Sequence, residues 1–114
     1  MGTSLNNIHT VAIAPTTAAA ISEAFELRAT GSMQNPINYS AISSPLGNGE
    51  EVAVQIWNEA GQSWQAMNRD GTAVKLIEDH DWLTFDNVSL RIRFVKGVTV
   101  AAVGVSLVSP RGVV

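Results

Sequence analysis

Hydrophobic and polar residues alternate along most of the chain, a pattern typical of β-strands that bury one face. The clearest example is residues 51–58, in which Val52, Val54 and Ile56 fall on one face. Similar alternation predicts further strands over residues 8–13, 24–30, 37–42, 64–68, 73–78 and 82–85. We expect the first of these to end before Pro15. Residues 16–22 are rich in alanine but too few for an independent helix, so they are either a loop or the start of a strand.

Residues 88–108 carry the strongest pattern, two runs rich in β-branched residues on either side of Lys96-Gly97. Because glycine readily adopts the positive φ of a tight turn, this stretch predicts a β-hairpin with Lys96 and Gly97 in its loop. A two-residue loop would place Phe94 opposite Thr99. The second strand of the hairpin would be apolar on both faces, and a loop one residue longer would only exchange those faces. Such a strand needs cover on both sides, from its own chain or from another.

Turn-forming residues recur roughly every 8–12 residues between the predicted strands, which is typical of all-β folds. Asp70-Gly71 is the clearest two-residue hairpin turn, and Asn35-Pro36 is a second turn signal. No segment has a convincing helical pattern. We therefore predict an all-β domain of eight or nine short strands, arranged as a two-sheet antiparallel sandwich in preference to a small barrel. The predicted domain spans residues 8–109, between a flexible N-terminal arm (residues 1–7) and a C-terminal tail (residues 110–114).

The amino-acid composition and the net charge limit the kinds of molecule that the protein could bind. Charged residues make up 15% of the chain, below the roughly 25% of typical soluble domains, while 46% of residues are hydrophobic. This indicates burial against partners, or else an exterior rich in Ser, Thr, Asn and Gln. The net charge of −3 and the absence of a basic run argue against nucleic acid. The N-terminus lacks the features of a signal peptide, and no apolar run is long enough for a membrane helix. We expect a soluble protein made in the cytoplasm and used without export, without contact to a membrane.

Residues that could carry out catalysis or bind a metal form no convincing site. The chain has no cysteine, which excludes disulfides and thiolate metal sites. Asp79-His80-Asp81 resembles a carboxylate–imidazole cluster, but neighbours in an extended segment point to opposite faces. No serine lies in a G-x-S-x-G motif. A hydrolase that uses His80 with Asp79 or Asp81 is thus a remote alternative to a solvated turn. The acidic residues follow no calcium-loop pattern, so we predict no enzyme activity, catalytic residue, metal or cofactor.

Two of the three tryptophans, Trp57 and Trp64, flank one predicted hairpin turn. On the surface, their indole rings would form a platform on which sugar rings stack. The alternative is that they pack in or across the sandwich, since each ring offers a large apolar area.

The chain also resembles a known class of protein. The segment GEEVAVQIWNEAGQSW (residues 49–64), the Asp70-Gly71 turn and the closing stretch RIRFVKGVTVAAVGVSLVS carry the resemblance. Together they resemble the small capsid decoration proteins, also called staple or cement proteins, of short-tailed double-stranded DNA phages. The resemblance covers about residues 9–109 and rests on size and pattern. It implies a jelly-roll-like sandwich on the capsid exterior of the virion, which clamps major capsid protein subunits as a homodimer or homotrimer.

A non-enzymatic clamp of this kind needs adhesive segments on a rigid scaffold. An arm that orders on binding loses roughly 1–2 kcal/mol per residue in entropy, so we expect it to add a strand to a partner's sheet. The alternative function is a carbohydrate- or receptor-binding module of a phage tail that uses Trp57 and Trp64. For the clamp, the apolar residues of the arm, the closing strand and the tail are the predicted partner contacts: Leu5, Ile8, Val98, Val100, Ala102, Val113 and Val114.

Overall fold

The computed structural model describes residues 7–27, 38–47, 49–77, 82–86 and 89–110. These residues form twelve β-strands and no helix, so this part of the chain holds no helix that could cross a membrane. The strands are β1 (Asn7–Thr16), β2 (Ala20–Ile21), β3 (Phe25–Leu27), β4 (Asn38–Ser44), β5 (Val52–Asn58), β6 (Ser63–Ala66), β7 (Asn68–Arg69), β8 (Thr72–Ala73), β9 (Lys75–Leu76), β10 (Trp82–Asp86), β11 (Leu90–Lys96) and β12 (Val103–Pro110).

The strands form two main antiparallel sheets that enclose one core. Sheet A has the order β1-β12-β4-β10. Sheet B has the order β2-β11-β5-β6, with β3 also pairing with β11 and β9 with β5. Both sheets contribute buried side chains to one apolar cluster, including Ala41, Phe85, Val103, Val105 and Leu107 from sheet A and Leu27, Val52, Val54, Leu76, Ile92 and Phe94 from sheet B. Burial of each large aliphatic or aromatic side chain contributes about 1.5–3 kcal/mol. The predicted all-β, two-sheet antiparallel sandwich is confirmed.

The strand count exceeds the predicted eight or nine because several segments are broken into short pieces. The segment predicted as one strand over residues 73–78 is the clearest case. Val74 separates β8 from β9, and the two pieces belong to different sheets. Strand β8 forms a separate two-stranded sheet with β7, whereas β9 joins sheet B by pairing with β5. Residues 16–22, for which the sequence left two alternatives, contain the end of β1 and the short strand β2.

The predicted hairpin of residues 88–108 is wrong. Strand β11 pairs with β5 on one side and with β2 and β3 on the other, all in sheet B. Strand β12 pairs with β1 and β4 in sheet A. Residues 97–102, which we call the connector, link the two sheets. Phe94 and Val105 do share the core as their alternation suggests, but they meet from opposite sheets. A period of two residues marks an inward face and does not show which strand lies alongside.

Pro15 does not end the first strand, which continues to Thr16. Strand β1 lies at the edge of sheet A, where a proline is tolerated because its missing N–H is not needed on the open side. The β1–β12 register also shifts between Val11 and Ile13 and again between Ile13 and Thr16. At the other end of the ladder Asn7 pairs with Pro110, so each strand begins or ends one residue inside the predicted arm or tail.

Two local predictions are confirmed in detail. In β5 the side chains of Val52 and Val54 are buried and Ile56 is half-buried. Asp70 and Gly71 have φ angles of 53° and 81°, so both adopt the left-handed conformation of a type I′ turn. They connect β7 to β8 with Arg69 opposite Thr72. The predicted turn at Asn35-Pro36 lies outside the described residues.

Candidate functional site

The connector exposes two large aliphatic side chains. Val98 is 77% exposed and Val100 is 93% exposed, and Ala102 beside them is also exposed. We call Val98 and Val100 the connector tip. All three residues were predicted as partner contacts, but on a strand with two apolar faces. They lie instead in an irregular link whose backbone pairs with no strand, so the closing strand begins only at Val103.

Lys96 holds the base of the connector from inside the protein. Its side chain is only 2% exposed, at the end of β11. The ammonium group donates hydrogen bonds to the carbonyl oxygens of Ala18 (2.7 Å) and Gly97 (3.0 Å) and to Oγ1 of Thr99 (3.2 Å). Three acceptors match the three N–H donors of an ammonium group, which is what a buried lysine requires. Burial lowers the pKa of Lys96.

Thr99 fixes the middle of the connector. It is 6% exposed although its neighbours on both sides point into solvent. Its backbone N–H donates to the carbonyl oxygen of Thr17 at 3.0 Å, and its hydroxyl donates to the carbonyl oxygen of Ala101 at 2.7 Å. The connector is therefore tied to Thr17 and Ala18, which follow β1.

Glu50 fixes the connector tip from a second loop. Its carboxylate accepts a hydrogen bond from the backbone N–H of Gly47 and another from the backbone N–H of Val100, each at 2.7 Å. These two bonds, that of Gly47 first, lower the pKa of Glu50, because they stabilise the ionised form. The backbone that carries the exposed Val100 is thus anchored by a side chain fifty positions earlier in the chain.

A second surface lies on the outer face of sheet B, where Trp57 and Trp64 are directly opposite each other in β5 and β6. Their ring centroids are 5.5 Å apart and their planes meet at 64°, an edge-to-face arrangement. The indole N–H of Trp57 donates to the carboxylate of Glu59 in the connecting turn. The two indoles flank one turn, as predicted, but they pack on the outside of the sandwich and are not coplanar.

Arg93 completes this second surface, which we call the tryptophan–arginine face and define as Gln55, Trp57, Trp64 and Arg93. The guanidinium carbon lies 4.5 Å from the ring centroid of Trp64, a cation–π contact. Its Nε–H donates to Oε1 of Gln55 at 2.7 Å. Arg93 reaches over β5 to contact a ring of β6, so its side chain is held on two sides.

The other predicted site residues lie at the two ends of the chain and in the segment before β10. Leu5, Val113 and Val114 lie outside the described residues, as does the Asp79-His80-Asp81 segment. Ile8 pairs through its backbone with Ser109 in the β1–β12 ladder, and its side chain is not described. Among the described residues, no group of three or more His, Asp or Glu is placed to hold a metal ion.

Sequence reasoning missed Lys96, Glu50 and Arg93. For Lys96 a signal was present, since it is the only charged residue between Arg93 and Arg111 in a strongly apolar run. Because lysine is rarely buried unless its ammonium group is paired, a lone lysine in such a run must either reach solvent or find specific partners. Glu50 and Arg93 had no comparable signal, because their partners are set by loop packing and strand register.

No family model matches the sequence, and no curated protein sequence matches it either. The chain is similar to a solved structure, the crystal structure of the SPBc2 prophage-derived protein YomS. The two superpose with a TM-score of 0.66 over 97% of this chain and 98% of the other, at 12% sequence identity. The two chains share a fold. The similarity covers nearly all of both chains.

Proposed function

We propose that this chain is a non-enzymatic structural protein of a phage particle that docks onto neighbouring protein subunits through its connector tip. The exposure of Val98 and Val100 on a backbone held by Lys96, Thr99 and Glu50 carries the proposal. The full-length similarity to a prophage-derived protein supports a phage origin. The finer proposal is that the partner is the major capsid protein and that the chain bridges its subunits on the capsid exterior.

A held connector suits this role energetically. Ordering a mobile loop on binding costs roughly 1–2 kcal/mol per residue, and a loop that is already held avoids most of that cost. Burial of two valine side chains returns about 1.5–3 kcal/mol each. That total falls short of the roughly 8 kcal/mol of a micromolar complex. The tip therefore acts with other contacts or as several linked copies, as in a homodimer or homotrimer on a repetitive shell.

Capsids assembled without this protein provide the test. We expect the purified chain to bind them in a fixed stoichiometry and to raise their melting temperature. The double variant Val98→Asp/Val100→Asp should bind at least tenfold more weakly, because burying an unpaired carboxylate is costly. Ala60→Asp, an equal charge change per site at the exposed β5–β6 turn, is the control. Failure of the wild-type chain to bind, or equal binding by the double variant and the control, would contradict the proposal.

A carbohydrate-binding module is the second candidate, favoured by the position of Trp57 and Trp64 on the outer surface. Stacking of a sugar requires an open ring face, and Arg93 covers one face of Trp64. Trp57 is then the better platform. A glycan array with the wild-type chain and with Trp57→Ala tests this function: a sugar signal lost in the variant supports it, and the absence of any signal rules against it.

A further inference from the structure

Two arginines that lie two residues apart on β11 have different partners on the same face of sheet B. Arg91 forms an ion pair with Glu26 of β3, with Nη2 and Oε1 2.8 Å apart. Arg93 has the neutral side chain of Gln55 as its hydrogen-bond partner. Within the described ranges, no carboxylate lies within ion-pair distance of Arg93. The guanidinium charge of Arg93 is thus not neutralised by a direct partner there.

The other charged groups near this surface, among the described residues, already have hydrogen-bond partners, although Glu59 keeps its charge because its donor is a neutral indole. Lys75 pairs with Glu51 at 3.2 Å, and the carboxylate of Glu59 accepts from the indole of Trp57. Arg93 is therefore a positive charge without an ion-pair partner in the part of the chain that the structure describes, in a protein whose net charge is −3. Gln55 occupies its Nε, and among the described residues the two Nη groups have no hydrogen-bond partner. They form the part of the guanidinium fork that takes a carboxylate.

We propose that Arg93, stacked on Trp64, binds a carboxylate side chain of an acidic segment on a partner protein. The contacts to Gln55 and Trp64 hold the guanidinium in one orientation before the ligand arrives, which lowers the entropy cost of binding. Arginine and tryptophan are also the residues most enriched in the hot spots of protein interfaces. Since Arg93 covers a face of Trp64, the site favours an acidic side chain over a stacked sugar ring. The inference goes beyond the proposed function and does not depend on the connector tip.

A hexaglutamate peptide is the probe, with hexaglutamine as its uncharged counterpart. NMR spectra record the side-chain Nε–H of Arg93 and the indole N–H of Trp64. We expect both signals to shift saturably with hexaglutamate and to stay in place with hexaglutamine. Arg93→Gln should lower the affinity about tenfold or more, since a hydrogen bond to a charged group has that effect. Arg93→Lys keeps the charge but loses the planar fork, and should lose most of the affinity as well.

Arg69→Gln is the matched control. Arg69 is an exposed arginine of β7 that donates to the carbonyl oxygen of Thr84 and stacks on neither Trp57 nor Trp64, and its loss changes the net charge equally. The control should bind hexaglutamate like the wild-type chain. Equal weakening by Arg69→Gln and Arg93→Gln, or no saturable shift, would overturn the proposal. A saturable shift with glucuronate but none with hexaglutamate would also overturn it, in favour of an acidic sugar. None of these outcomes bears on capsid binding through the connector tip.

Discussion

Two turns of this protein achieve a fixed conformation by opposite means. The Asp70-Gly71 turn is determined locally, because two residues with positive φ close a hairpin between adjacent strands. The connector is determined by the tertiary structure, through Lys96 and Glu50 and through the contact of Thr99 with Thr17. The first turn needs little from the rest of the molecule, whereas the second has no fixed form without it.

The contrast between the two turns shows how a protein can expose apolar side chains to solvent on a backbone that tertiary contacts hold in place. Nothing packs over Val98 and Val100 among the described residues, yet their backbone is anchored from the inside. A surface of this kind is ready for a partner and loses little entropy on binding. The comparison predicts that substitutions at the anchors act on the connector, and that substitutions in the hairpin act only on global stability.

Lys96→Met should have the largest effect. The variant removes the donor to the buried hydroxyl of Thr99 and to the part-buried carbonyl oxygens of Ala18 and Gly97. A buried polar group that loses its partner costs about 1–3 kcal/mol, and a part-buried one costs less because water can replace the donor. Release of a buried charge offsets part of this loss. We expect the free energy of unfolding to fall by about 2–3 kcal/mol in urea titrations followed by tryptophan fluorescence. Lys75→Met, which breaks an exposed ion pair, should cost less than about 1 kcal/mol. If the two variants lowered the free energy of unfolding equally, the buried bonds of Lys96 would contribute no more than an exposed ion pair.

Thr99→Val should have the next largest effect on the connector. The two side chains are nearly isosteric, but valine cannot accept from Lys96 or donate to Ala101. Loss of these bonds at a buried position should lower the free energy of unfolding by about 1–2 kcal/mol. Amide exchange at Val98 and Val100 should also become faster. A lower free energy of unfolding without faster amide exchange in the connector would mean that Thr99 stabilises the fold but does not hold the connector backbone.

Gly71→Ala tests the local turn. The φ of 81° disfavours any residue with a Cβ, although nothing lies within 4 Å of a Cβ built there. Backbone strain alone should then lower the free energy of unfolding by about 1 kcal/mol. We expect amide exchange at Val98 and Val100 to stay unchanged, since no hydrogen bond or ion pair joins the hairpin to the connector among the described residues. Faster amide exchange at Val98 or Val100 in this variant would contradict the view that the two turns are held independently.

Glu50 should give the smallest effect, visible as a pH dependence. Its pKa is lowered in the folded protein, so the folded state binds its proton less readily than the unfolded state. The stabilisation is complete above the ordinary glutamate pKa of about 4.3 and is lost as the pH falls through the lower, folded-state value. The amide proton of Val100 should titrate with a midpoint below about 4.3 in NMR spectra. Glu50→Gln should abolish that titration, and a midpoint at or above the ordinary value would contradict the bond.

Strand faces and the tight turn could be predicted from the sequence because local preferences determine them. The apolar residues Val52 and Val54 alternate with others in β5, and this spacing predicts that they are buried. Asp and Gly both tolerate a positive φ, so Asp70-Gly71 predicts the tight turn by itself. Lys96-Gly97 shows the limit of this reasoning. A glycine between two β-branched runs suits a hairpin and a link between sheets equally well. Long-range pairing distinguishes the two, since β11 pairs with β5 and β12 pairs with β1 and β4. The bond from Lys96 to Ala18 is equally long-range and joins residues 78 positions apart.

The candidate site was predictable only in part for the same reason. Trp57 and Trp64 flank one turn in the sequence, so their contact across β5 and β6 follows from a single hairpin. Arg93 joins them only because β11 pairs with β5 in a register that places Arg93 opposite Gln55. Long-range register of this kind depends on the whole sheet and leaves no mark in the neighbouring sequence.

The backbone order parameter of Val100, from NMR relaxation of the free protein, tests the central claim most directly. The account predicts a value near 0.85, as in the rigid strands, despite a side chain that is 93% exposed. Lys96→Met should lower that value while the strands keep theirs. A wild-type value below about 0.6 would show an ordinary mobile loop and would contradict a preformed docking surface.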